Sequence, residues 1–157
     1  MRYESVCLAV NDMALARKFY QELFGLKVNQ DFGENISFSC GISLQQDFGK
    51  LLNIPNEKIL NRPCNMELYF EEDEFDSFLL RLKQYEDIEY LGEGVVQQPW
   101  GQRSVRFYDL DGHIIEVGEN LRIVVKRFLS HGMTMEETSK RMDVSIQELE
   151  KILNSYR

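Results

Sequence analysis

Cysteine, proline, histidine and tryptophan are scarce in this chain: three, three, two and one among 157 residues. Cys7, Cys40 and Cys64 are an odd number, lie far apart and make no Cys-x-x-Cys or Cys/His cluster. Neither a disulfide framework nor a zinc site is expected from them; they are expected as reduced thiols, buried like small apolar side chains. No apolar run approaches the roughly 18 to 20 residues of a membrane span. The start MRYESVCLAV has neither the apolar region nor the cleavage site of a signal peptide. The expectation is a cytoplasmic protein without a membrane partner, in which the NIS sequon at residues 35–37 carries no meaning.

Positive charge is scarce too, and unevenly so. The net charge is -8, with 11 Lys/Arg against 20 Asp/Glu in residues 1–118 but 7 against 6 in residues 119–157. An acidic body repels phosphate backbones, which argues against nucleic acid as a partner. With 43% apolar and 28% charged residues, the chain suits one globular domain with an appendage.

What is present is a repeat. RYESVCLAV alternates, with Val6, Leu8 and Val10 on one face and Ser5, Cys7 and Ala9 on the other, the period of a half-buried strand. NDMALARKFYQELFG follows with helical spacing through Met13, Ala16, Phe19, Tyr20, Leu23 and Phe24, a cap at Asn11 or Asp12 and a stop at Gly25. LKVNQ, NISFS and GISLQQ are strand candidates separated by turn signals. The order recurs about 62 residues later. NMELYFEED places Met66, Leu68 and Phe70 inward, EFDSFLLRLKQY is amphipathic through Phe75, Phe78, Leu79 and Leu82, and IEYLGEGVVQQ, RSVRFYDL and HIIEVGE supply three more strands. DFGKLLNIPNEKILNRP between the repeats reads as a linker with a short helical turn.

The predicted fold is therefore α+β: two βαβββ modules, about 1–46 and 64–118, in each of which the helix covers one face of a mixed sheet and leaves the other face concave, a cup available to a ligand. Residues 119–157 are expected to form a small helical extension. NLRIVVKRFLSHG reads as a helix, and Thr134-x-x-Glu137 and Ser145-x-x-Glu148 read as capping boxes of two more, in a pattern similar to a helix-turn-helix. The would-be recognition helix offers Glu148 and Glu150 against Lys151, so DNA is not the expected partner. Its apolar stripe of Ile146, Leu149, Ile152 and Leu153 calls instead for a covering surface, whether a dimer clamp, a lid over the cup or a docked protein.

SVCLAVNDMALARKFYQELFGLKV, MELYFEEDEFDSFLLRLK and PWGQRSVRFYDLDGHIIEVGE together resemble the glyoxalase, bleomycin-resistance and extradiol-dioxygenase superfamily, the vicinal oxygen chelate proteins, over residues 3–118. The resemblance implies paired modules around a cup-shaped site, commonly in homodimers. It also implies four ligand positions in members that hold a divalent metal. Carried onto this sequence these are Ser5 and Glu67 in the first strands and Ser43 and Glu116 in the last ones.

Two serines in that set are weak ligands, and Glu67 and Glu116 offer oxygen only. They suit at most a hard, partly hydrated ion such as Mg²⁺ or Mn²⁺. His113 does not complete the set, because its odd offset from Glu116 turns it to the other face of a strand. The alternative is a cleft without metal, in which Arg106 pairs with Glu67 or Glu116 and holds it ionised. Ser104 and Tyr108 share the face of Arg106, while Val105 and Phe107 face the core.

Tyr69, Tyr108 and Trp100 are candidates to wall the cup around a flat, cationic guest, with Trp100 alternatively a loop anchor. Three functions follow. The first is a metal-free or metal-poor small-molecule-binding protein with Ser5, Ser43, Tyr69, Trp100 and Tyr108 as ligand contacts. The second is a metal-dependent lyase or isomerase acting on a carbonyl compound, with Glu116 and Glu67 holding a divalent ion and one of them acting as base; without the metal, Arg106 is the candidate electrophile. The third is a ligand-sensing regulator that signals through the C-terminal helices.

Overall fold

The computed structural model describes residues 1–155. It holds two four-stranded sheets, one per repeat. The first module comprises β1 (Val6–Val10), α1 (Met13–Phe24), β2 (Val28–Asp31), β3 (Asn35–Phe38) and β4 (Ile42–Gln46). Its strand order is β1-β4-β3-β2, with β1 parallel to β4 and the remaining pairs antiparallel. The linker contributes α2 (Phe48–Leu52) and a 3-10 turn at Asn56–Lys58. The second module repeats the pattern with β5 (Glu67–Glu72), α3 (Phe75–Leu82), β6 (Tyr90–Gln97), β7 (Arg103–Tyr108) and β8 (Ile114–Glu119), in the order β5-β8-β7-β6 with β5 parallel to β8. Three helices follow, α4 (Leu121–Ser130), α5 (Met135–Met142) and α6 (Ile146–Asn154). The two βαβββ modules expected from periodicity are thus present.

Local chemistry explains the boundaries. Asp12 caps α1 by accepting from Leu15 N–H, and Gly25 ends it in the left-handed conformation, φ 65°. The apolar face of α1, with Ala16, Phe19, Tyr20 and Leu23, buries with Leu8, Val10, Ile36, Phe38 and Leu44. Phe75, Phe78 and Leu82 of α3 bury in the same manner with Val105, Phe107, Ile115 and Val117. Each sheet therefore commits one face to its helix.

The chain divides into two compact units: residues 1–66 with 108–113, and residues 67–107 with 114–155. The β7–β8 turn thus belongs to the first unit. There Asp109 accepts from the Tyr20 hydroxyl at 2.6 Å, and Asp111 accepts from Asn11 N and Nδ2 at 2.8 and 2.9 Å. The helices α4 to α6 belong to the second unit.

Several expectations need correction. All three cysteines are exposed: Cys7 lies on the sheet face away from α1, and Cys40 and Cys64 lie outside regular strands. Met66 is exposed because β5 begins one residue later, beyond the reach of the core. The Thr134 capping box forms in full, whereas Ser145 only accepts from Glu148 N–H, and the Glu148 carboxylate turns to Lys151 Nζ at 2.9 Å. Part of the α6 stripe is covered within the chain: Leu149 is buried with Val124, Val125 and Met142, and Ile152 and Leu153, partly buried, pack against that cluster.

Candidate functional site

Strand alternation positions the main cluster. Val105 and Phe107 of β7 turn into the core, so Ser104 and Arg106 turn to the opposite, helix-free face of the second sheet. There Arg106 Nε donates to Glu67 Oε2 at 3.1 Å and Nη2 donates to Glu116 Oε2 at 2.6 Å. Glu67 opens β5 and is half-exposed, while Glu116 sits inside β8 with its side chain 9% exposed. One guanidinium thus serves two carboxylates, leaving a local excess of one negative charge. Burial pushes the Glu116 carboxyl above its ordinary range, the Ser104 hydroxyl and Arg106 pull it down, and nearby Glu67 pushes it up again, with a raised value as the outcome.

A second polar chain lies beside the first. Tyr69, opposite Glu116 in the β5–β8 register, accepts at its hydroxyl from Gln102 Nε2 at 2.9 Å, and the same nitrogen donates to Glu119 O at 2.7 Å. Gln102 Oε1 accepts from Trp100 Nε1 at 3.0 Å. Gln98 Nε2 donates to Ser104 Oγ at 3.0 Å. Gly118 makes this crossing possible, since a Cβ there would lie 2.7 Å from Gln102 Nε2 and 3.1 Å from the Tyr69 hydroxyl. Burial raises the Tyr69 phenol, Gln102 opposes it, and Glu71 and Glu116 add to it. The tyrosine keeps its proton at neutral pH and faces outward, 48% exposed.

The remaining candidates lie in the first unit. Ser5 precedes β1, and its hydroxyl is 3.3 Å from that of Ser43, which also donates to Val6 O at 3.1 Å. Ser43 pairs in register with Ser37, whose buried hydroxyl has no hydrogen-bond partner, and Gln45 pairs with Asn35, whose Nδ2 donates to Gln45 Oε1 at 3.0 Å. This sheet face is uncharged and rich in hydrogen-bonding groups. Tyr108 is buried, with its hydroxyl 3.3 Å from Cys64 Sγ and its ring under the Arg62 guanidinium at 4.5 Å. His113 directs Nδ1 to Asp109 at 2.8 Å.

Gln98, Gln102, Ser37, Gln45 and Asn35 were not singled out from the sequence. Extending the even-numbered alternation of Ser104 and Arg106 back to Gln102 would have found that residue. Gln98 lies across a turn, where alternation gives no signal. Among the described residues, no three His, Cys, Asp or Glu side chains gather in a way that could hold a metal ion.

The Glyoxalase-like domain model matches residues 3–122. A protein of unknown function from Agrobacterium tumefaciens str. C58 is 33% identical, with 76% of this chain and 94% of that one covered and a TM-score of 0.64. A lactoylglutathione lyase from Agrobacterium tumefaciens is 26% identical, with 75% and 92% covered and a TM-score of 0.52. The fosfomycin resistance protein FosX from Listeria monocytogenes shares the fold at 22% identity, 76% and 93% coverage and a TM-score of 0.56. No curated protein matches the chain.

Proposed function

The chain belongs to the glyoxalase-like domain family, and from that premise we propose that it binds a small molecule on the helix-free face of the second sheet, without a resident transition metal. The observation that carries this reading is the sharing of Arg106 between Glu67 and Glu116. A face with an uncompensated carboxylate, a half-exposed Tyr69 and a part-exposed Trp100 favours a flat guest bearing positive charge. The donor set does not suit a transition metal. It holds two carboxylates and no imidazole, and both carboxylates already face a guanidinium that a dication would have to displace.

The test is titration of the purified protein with planar aromatic amines in the presence of EDTA, followed by Trp100 emission. Saturable binding is expected, weakened by roughly ten- to a hundredfold in Glu116→Gln, since losing one charge-assisted hydrogen bond costs about 1.5–3 kcal/mol and about 1.4 kcal/mol is a factor of ten. Elemental analysis of protein purified without chelators should find no stoichiometric Mn, Ni, Zn or Fe. A stoichiometric ion that is lost in Glu116→Gln would overturn the reading.

A second reading, a lyase or isomerase that abstracts a proton next to a carbonyl, is favoured by one observation. Glu116 is a buried carboxyl with a raised pKa beside a cationic donor, which suits a general base next to an electrophile. Its test is deuterium exchange at the α-carbon of a panel of 2-hydroxy and 2-oxo carbonyl compounds. Exchange abolished in Glu116→Gln supports turnover; no exchange with any of them rejects this second reading.

A further inference from the structure

The last residues of the family match, which ends at 122, stop at the first turn of α4. Beyond them Arg127 reaches back into the second module. Its Nη1 donates to Glu119 Oε1 at 2.7 Å and its Nη2 to Gly101 O at 2.6 Å. Glu119 is buried and also accepts from Arg103 N, Nε and Nη2 at 3.0, 2.9 and 2.8 Å, and Arg103 Nη1 donates to Asp76 Oδ1 at 2.8 Å. Arg127 is thus anchored through two charged neighbours to β7 and to the start of α3, and it has little freedom to leave Gly101.

Phe128 closes on the same point. Gly101 has φ 91°, and a Cβ there would lie 2.3 Å from Phe128 Cζ. The ring rests directly on the backbone, a contact only glycine permits. Gly101 is the tip of a tight turn, closed by Gly101 N–H to Gln98 O at 2.8 Å and Gln98 N–H to Gln102 O at 2.7 Å. The residues on either side of that tip are Trp100 and Gln102, the pair joined to each other and, through Gln102, to the Tyr69 hydroxyl. On its far side α4 is held by its own core of Val124, Val125, Met142 and Leu149. A continuous set of contacts therefore runs from α5 and α6 through α4 to the aromatic wall of the ligand face.

We propose that the C-terminal three-helix unit is a positioning device for that face, with Arg127 and Phe128 as positioning residues that fix the 98–102 turn and thereby place Trp100 and Gln102 against Tyr69. That the turn then contacts ligand rests on the function proposed above; that α4 fixes the turn does not.

Trp100 is the sole tryptophan, so its emission reports this turn alone. In ligand-free protein, Arg127→Met and Phe128→Leu should each red-shift the emission and raise its quenching by acrylamide, with far-UV circular dichroism unchanged. Arg127→Lys, which can reach Glu119 or Gly101 O but not both, should fall between. Lys126→Ala, exposed on the same helix, should match the wild type. Emission and quenching in Arg127→Met and Phe128→Leu that equal the wild type would overturn the proposal. If Arg127→Met does not fold, Phe128→Leu decides alone, since it leaves Glu119 with both arginines. A perturbed Trp100 in variants of a protein that binds no aromatic amine would keep the positioning role and remove the ligand.

Discussion

A buried carboxylate must have its lone pairs occupied, and Asp109 fills them with four bonds from three residues. The Tyr20 hydroxyl donates at 2.6 Å, His113 N at 2.8 Å and Asp111 N at 3.0 Å, with His113 Nδ1 at 2.8 Å. Tyr20→Phe deletes one donor while keeping the packed ring, and should cost about 1–2 kcal/mol in chemical denaturation. Burial pushes Asp109 up, but His113 and Tyr20 outweigh it and hold the carboxyl below its ordinary 3.8. Burial pushes His113 down, but Asp109 and Asp111 outweigh it and raise the imidazole above 6.5. The pair's contribution is therefore full between those two values. It is lost as pH rises from about 6.5 through the folded value of His113, and on the acid side as pH falls below 3.8 through that of Asp109. His113→Asn should flatten the alkaline decline of stability; an unchanged slope in urea titrations at several pH values would contradict the pairing. Glu116 behaves in the opposite sense to Asp109. Its raised pKa means that ionisation works against folding as pH rises above 4.5. Glu116→Gln should accordingly remove part of that decline while it weakens ligand binding.

At the scale of elements, the strands and helices were legible because each repeats one period against one core. Leu8 and Val10, or Phe75, Phe78 and Leu82, are buried where alternation and helical spacing put them. Asp12, Gly25 and Thr134 cap as their residue types suggest. The exposure of Cys7, Cys40 and Cys64 was not legible, since a residue type's average says nothing of the face it occupies. Nor was the half-formed box at Ser145, where Lys151 competes for Glu148 through a contact one turn on. The helical extension stands on Leu149, which has no exposure. Leu149→Ala should cost about 2–5 kcal/mol, read as early loss of helical signal on heating, whereas Gln147→Ala on the exposed face should be nearly neutral. Equal midpoints for the two variants would show that α6 is not part of a packed unit.

At the scale of the whole molecule, the repeat told where the modules begin but not how the chain partitions. The turn at 108–113 joins the first unit through Tyr20, 89 residues away from Asp109 in sequence, and no periodicity announces such a contact. The Glu119 network with Arg103 and Arg127 was equally invisible, because charge spacing does not reveal which carboxylate is buried. The cluster of Glu67, Arg106 and Glu116 stood out better, since a strand with charged residues on its non-core face invites a reason for them. No described helix is long and apolar enough to cross a membrane. The acidic excess of the first 118 residues, 20 carboxylates against 11 basic side chains, would add long-range attraction for the cationic guest proposed above, whose association is then expected to weaken with added salt. The most direct test of the account is titration of wild-type protein and Glu116→Gln with a planar aromatic amine, with and without EDTA, read by Trp100 emission. The account expects the same saturable binding with and without chelator and a clear loss in the variant; binding that requires an added divalent metal, or that is indifferent to Glu116, would contradict it.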